Sequence, residues 1–271
     1  MNQVCLNGFF FPSHDPVLHA SNRGFAYGDG LFETIKVADG NIVLEELHYQ
    51  RLFHGMEQMK LPKEALAKKN LSPYILELCE LNHCLKLGRV RLAVFRSNEG
   101  HAHFLIEAQA LEHEYTTWND EGYTLGIYSE VQKGMDKFAS LKSANFLPYV
   151  MAGIFATENG WDDAIVLNTA GRVADTSRAN IFIVKDRKII TPALNEGCVA
   201  GVFRQHLLQL PDKNFEICEG PVTSDDLMTA DEVFTTNAIA GLKWVKQIGE
   251  KLYFNLVTKS VYQTVISTKT D

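Results

Sequence analysis

The sequence predicts an α+β protein made of two domains. Three observations lead there. The chain has 271 residues, 46% of them hydrophobic, enough for two cores. Alternating strand-like runs are interleaved with stretches of helical periodicity, rather than forming a strict βαβ repeat. A polar, turn-rich stretch, "EHEYTTWNDEG" (112–122), separates two such halves. The expected domains are 1–116, smaller, and 117–271, larger.

The elements follow in order. "VCLNGFF" and "LFETIKVADGNIVLEE" read as strands, the second turning at Asp39-Gly40. Apolar residues Leu52, Met56 and Met59 at spacings of three and four predict a helix over 47–59. "SPYILELCELNHCL" predicts another, with Ser72 as N-cap and Pro73 at its first position. "RVRLAVFR" alternates, placing Val90, Leu92 and Val94 on one face, and "HFLIEAQAL" is its hairpin partner. Past the linker, "YTLGIYSEV" is a strand. "NFLPYVMAGIFATENG" is a helix, capped by Asn145 and closed by Gly160. Its residues Leu147, Val150, Met151, Ile154 and Phe155 form one apolar stripe. "DAIVLNTAGRVADTSRANIFIVKDRKIITP" reads as strands joined at Ala170-Gly171 and Asp186-Arg187. "VFRQHLLQL" is helical, "DEVFTTNAIAGLKWV" begins as a strand, and "NLVTKSVYQTVIS" is helical.

Charge and cysteine content narrow the function classes. A net charge of −7 argues against a nucleic-acid partner. The five cysteines show no C-x-x-C spacing, so neither a disulfide framework nor a zinc finger is expected. The start, "MNQVCLNGFF", is not a signal peptide, and no run of about 18 apolar residues predicts a membrane span. A soluble cytoplasmic protein acting on a small molecule is the expectation.

One stretch stands apart. In "SLKSANFLPYV", Lys142 has only small or apolar neighbours, and the next charge downstream is Glu158. Such a lysine either packs its stem while its head reaches water or is an amine held for Schiff-base chemistry. Read locally, both stand, and the first is the commoner case.

Six stretches carry a resemblance: "RGFAYGDGLFETIKV", "HYQRL", "SLKSAN", "GRVADTSRANIFIV", "GVFRQHL" and "DEVFTTNAI". In this order and spacing they resemble the fold-type IV pyridoxal-phosphate enzymes, the class IV aminotransferase family. That resemblance implies a two-domain, D-amino-acid aminotransferase-like α+β fold, with pyridoxal 5'-phosphate in the cleft between the domains, and a homodimer. It implies Lys142 as the Schiff-base lysine. It implies Asp175 as the carboxylate at the pyridine nitrogen, where the family usually has glutamate. It also implies a phosphate cup of Arg51, the Gly201, Val202 and Phe203 segment, and Thr236, Asn237 and Ala238. Anions suit such a set, since arginine forks and helix-start N–H groups both donate.

The reaction branches after the Cα proton is lost, toward transamination or toward elimination. D-amino-acid aminotransferases grip the substrate carboxylate with a tyrosine and an Arg-x-His pair. Those positions fall here on Phe32 and on His101-x-His103. "GDGLFET" and "TNA" look more like the aminodeoxychorismate lyases, which release pyruvate and p-aminobenzoate. The lyase is therefore the leading expectation, and an aminotransferase of branched-chain or D-amino acids the alternative. A reading from another class has His101 and His103 ligating zinc with His113 or Glu107. No H-E-x-x-H or G-x-S-x-G is present.

Overall fold

The computed structural model describes residues 2–62, 66, 71–210 and 215–267. The chain divides into two compact units: Met1–Thr116 with Leu141–Asn145, and Thr117–Ser140 with Phe146–Asp271.

In the first unit, six strands pair antiparallel in the order β2-β1-β6-β5-β3-β4. They are β1 (Gln3–Leu6), β2 (Phe9–Pro12), β3 (Gly30–Ala38), β4 (Asn41–Ile42), β5 (Leu87–Arg96) and β6 (Ala102–Ala110). The β3–β4 hairpin turns at Asp39-Gly40, both at positive φ, which suits the twist of a two-residue hairpin. The run "VLEE" does not continue as strand, because α2 (Glu45–Gln58) has already begun. Val90, Leu92 and Val94 are buried on one face of β5 as their alternation requires. They pack with Leu31, Ile35 and Val37 of β3, with Leu52 and Met56 of α2, and with Ile75 and Leu78 of α3 (Leu71–Leu81). Ser72 is not an N-cap. It lies inside α3, and its hydroxyl bonds Glu45 and the Tyr49 hydroxyl instead.

The segment carrying Lys142 joins this first unit, whereas a division at 117 assigns it to the second. Its backbone adds to the bare edge of β3: the Phe32 N–H donates to the Lys142 carbonyl and the Ala144 N–H to the Gly30 carbonyl, both at 2.9 Å. Unpaired strand edges recruit extended neighbours in this way.

The second unit holds a nine-stranded mixed sheet in the order β12-β11-β10-β13-β14-β7-β8-β9, with β15 on β14. In chain order these are β7 (Tyr123–Lys133), β8 (Asp163–Asn168), β9 (Val173–Thr176), β10 (Asn180–Lys185), β11 (Lys188–Pro192), β12 (Glu216–Gly220), β13 (Glu232–Asn237), β14 (Gly241–Ile248) and β15 (Lys251–Leu252). The helices are α4 (Leu147–Glu158), α5 (Val202–Leu208), α6 (Ser224–Thr229) and α7 (Leu256–Ser267). A short α1 (Arg23–Tyr27) lies in the first unit.

Helix α4 splits the expected stripe: Met151 and Phe155 are half-buried against the core, but the rest of it is not. Its buried residues are Tyr149, Ala152 and Ala156, while Leu147, Val150 and Ile154 are 67%, 50% and 45% exposed. The small residues take the sheet side because they let the helix approach Tyr128, Ala164 and Val166 closely. Asn145 does not cap α4 either; Phe146 holds the cap position and offers no side-chain bond. Among the described residues no helix is long and apolar enough to cross a membrane.

Candidate active site

On the first unit, one of the expected residues, Arg51, meets a buried carboxylate. Glu33 lies on the core face of β3, in phase with Leu31, Ile35 and Val37, and is buried. Two side chains one turn apart on α2 reach it. Arg51 forks both carboxylate oxygens, with Nε 2.8 Å from Oε1 and Nη2 on Oε2. His48 Nδ1 stands 2.6 Å from Oε2. Burial pushes the Glu33 carboxyl up, but the Arg51 charge and fork and the His48 bond outweigh it and bring it down to about 2. His48 is pushed the other way. Burial lowers its pKa, the Glu33 contacts oppose that, and the positive charges of Arg51 and Lys142 add to the lowering. A neutral ring facing a carboxylate donates from Nδ1, so Nε2 carries a bare lone pair. Nε2 is buried without a hydrogen-bond partner among the described residues.

Lys142 is half-buried, and its Nζ lies 4.5 Å from the centre of the Phe32 ring. Arg91 of β5 approaches the same ring at 5.0 Å. Phe32 thus offers a π face to the amine. His101 lies exposed in the turn before β6, and His103 sits on β6 with its ring edge-on to Phe95. Glu107 is turned to Arg91. Among the described residues no group of three or more His, Cys, Asp or Glu stands where it could hold a metal ion. The zinc reading therefore lacks a ligand set there.

On the second unit, Asp175 sits in β9 and is buried. Its Oδ2 accepts from the Tyr149 hydroxyl at 2.7 Å and the Val199 N–H at 2.8 Å, and its Oδ1 accepts from Asn180 Nδ2 at 2.8 Å. Asn180 also fixes Gly201. A Cβ on Gly201 would fall 1.7 Å from Asn180 Oδ1, so only glycine lets the chain pass there on its way into α5. Asn180 pairs across the sheet with Thr236, whose Oγ1 is buried and has no partner among the described residues. Asn237 is spent locally. Its Oδ1 takes the Ile239 and Ala240 N–H groups at 3.0 and 2.7 Å, and its Nδ2 reaches the Arg178 carbonyl. Its side chain therefore builds the turn after β13.

Sequence reasoning missed Glu33, His48, Tyr149 and Asn180. A signal existed for Glu33, a charge in the apolar phase of a strand. For His48 it was the i, i+3 pairing with Arg51 on one helix face. Tyr149 and Asn180 gave none, since a tyrosine in an apolar helix and an asparagine before a strand are ordinary.

On the first unit a half-buried amine lies over a ring, and on the second an enclosed carboxylate and an unpartnered buried hydroxyl at Thr236 lie among the described residues; groups of these kinds suit an anionic aldehyde cofactor. A model of the family "Amino-transferase class IV" matches residues 30–248. A putative branched-chain-amino-acid aminotransferase of Methanocaldococcus jannaschii is 28% identical over 93% of this chain and 90% of its own length. An aminodeoxychorismate lyase of Vibrio harveyi is 28% identical over 84% and 86%. Among solved structures, the branched-chain amino acid aminotransferase of Escherichia coli superposes with a TM-score of 0.86 at 20% identity, over 98% of this chain and 93% of that one.

Proposed function

Because the chain belongs to the class IV amino-transferase family, we propose that it is a pyridoxal 5'-phosphate enzyme in which Lys142 carries the cofactor and moves the substrate Cα proton. Lys142 Nζ would hold the cofactor aldehyde and, once released, act as the base. Asp175 would accept from the pyridine nitrogen at Oδ1, which takes one bond where Oδ2 takes two. Arg51, the N–H groups of Val202 and Phe203 after Gly201, the Thr236 hydroxyl and the Asn237–Ala238 backbone would hold the phosphate. When bound, the cofactor supplies a charged ring that draws electrons from the substrate Cα. The fold alone does not set the reaction.

Within that family, we read the activity as 4-amino-4-deoxychorismate lyase, with an aminotransferase of branched-chain or D-amino acids as the second reading. The observation that carries it is Phe32, whose ring has no hydroxyl for a substrate carboxylate and gives its face to the Lys142 amine. By the resemblance, His101 and His103 take the place of the Arg-x-His pair of the D-amino-acid enzymes. Relatives named for both activities match at equal identity, so the assay decides. Incubation with aminodeoxychorismate should yield pyruvate and p-aminobenzoate with no 2-oxo acid added. Product that forms only from an amino acid donor plus 2-oxoglutarate would replace the lyase with the aminotransferase.

A homodimer belongs to the same reading. Leu147, Val150 and Ile154 leave an apolar face of α4 open, and faces of this kind mark subunit contacts. Sedimentation equilibrium should give twice the 30.4 kDa chain mass. A monomer at micromolar concentration would remove the dimer.

A further inference from the structure

Lys133 is half-buried and Tyr149 is buried. Lys133 ends β7, and its Nζ donates to the Ala139 and Gly197 carbonyls. It also lies 5.1 Å from the centre of the Tyr149 ring. The hydroxyl of that same ring donates to Asp175. A lysine capped by two carbonyls is fixed in place but keeps its charge uncompensated, since carbonyls carry no countercharge. Asp175 has the opposite problem: it is enclosed, and its three donors, Tyr149, Asn180 and Val199, are all neutral.

We propose that Tyr149 and Lys133 are positioning residues for Asp175. The phenol fixes the orientation of the short carboxylate, and the ammonium balances its charge across the shared ring. This rests on Asp175 as the partner of the ring nitrogen, and it explains how an aspartate serves where the family usually has glutamate. With one methylene fewer, the carboxylate is held farther back by its own backbone. It must be oriented from behind, which the Tyr149 hydroxyl and the Val199 N–H do on Oδ2, turning Oδ1 outward. It must also stay charged in a dry place, which neutral donors alone do not secure.

The titratable groups acting here are few. Burial raises the Asp175 carboxyl, and the Lys133 charge is the largest effect opposing it. Burial lowers the Lys133 amine, opposed by Asp175, Cys198 and Asp136. The Tyr149 phenol is pushed up, first by burial and then by Asp175 and Cys198, so it stays a donor. The Cys198 thiol, pushed up to about 12 by burial, remains neutral.

Two conservative variants test this: Lys133→Met keeps the stem, and Tyr149→Phe removes only the hydroxyl. The first readout needs no cofactor. With aspartate labelled at the carboxyl carbon, and Asp175 assigned from Asp175→Asn, the Asp175 titration should move upward by about one pH unit in each variant. An unmoved titration in either variant overturns the proposal. The second readout compares the affinity of pyridoxal phosphate with that of its analogue bearing CH in place of the ring nitrogen. Each variant should lose roughly tenfold for the natural cofactor and little for the analogue. Equal losses for both would mark a merely structural role and overturn it as well. A parent protein that does not prefer the ring nitrogen would instead overturn the role given to Asp175 above, while the titration still decides the network.

Discussion

Lys142→Ala should leave the fold intact and remove the chemistry. The bonds that hold this segment to β3 come from its backbone, the Lys142 carbonyl and the Ala144 N–H, so an alanine keeps them. The amine over Phe32 is lost. Turnover should fall roughly 10³-fold or more, the range for removing a positioned proton-transfer group. Borohydride treatment of the loaded parent should fix a pyridoxyl group that maps to Lys142, and the variant should show none. Two other enclosed lysines are poor substitutes: half-buried Lys133 is tied to two carbonyls, and Lys243 is buried in β14 with its Nζ on the Thr117 carbonyl. A label on either, with turnover unchanged, would sink the assignment.

Glu33→Gln should give the largest loss of stability. Removing the charge leaves the Arg51 guanidinium and the buried His48 without their anion, a change that costs about 3 kcal/mol in enclosed pairs. The sign of the pH dependence follows from the depressed carboxyl. Glu33 falls from 4.5 to about 2 in the folded chain. Its contribution is therefore fully present above pH 4.5 and is lost as the pH drops toward 2. The gap between parent and variant in urea midpoint should be wide at pH 7, about halved by pH 3 and mostly closed near pH 2. His48, whose pKa is also depressed, weakens both proteins as the unfolded chain takes up its proton below its ordinary value of 6.5. A gap of equal size at pH 7 and pH 3 would show that Glu33 does not act through its charge.

Much of the architecture was legible from residue order. The alternation in "RVRLAVFR" places Val90, Leu92 and Val94 inward because strand side chains have a period of two. The spacing of Leu52 and Met56 finds one face of α2 for the same kind of reason. The stripe on α4 misled. Periodicity reports which residues share a face but not which face is buried, and here close approach to the sheet selects Ala152 and Ala156 over Leu147 and Ile154. The short elements α1, α6 and β12 have too few residues for any period to register.

The sequence by itself determined the family, through six spaced stretches, and with it the residues proposed for the site: Lys142, Arg51, Asp175 and the segments around Gly201 and Asn237. Their environment was decided only by tertiary structure. Whether Arg51 is solvated or forked on Glu33, whether Asn237 offers its amide or spends it on its own turn, and what stands behind a shortened carboxylate all depend on groups far apart in the chain. Tyr149 and Asp175 are 26 residues apart, and Glu33 and Arg51 are 18 apart. Local sequence fixes backbone preference and periodicity. Desolvation and charge pairing act through space, so the states of Glu33, His48 and Asp175 exist only once the chain has folded around them.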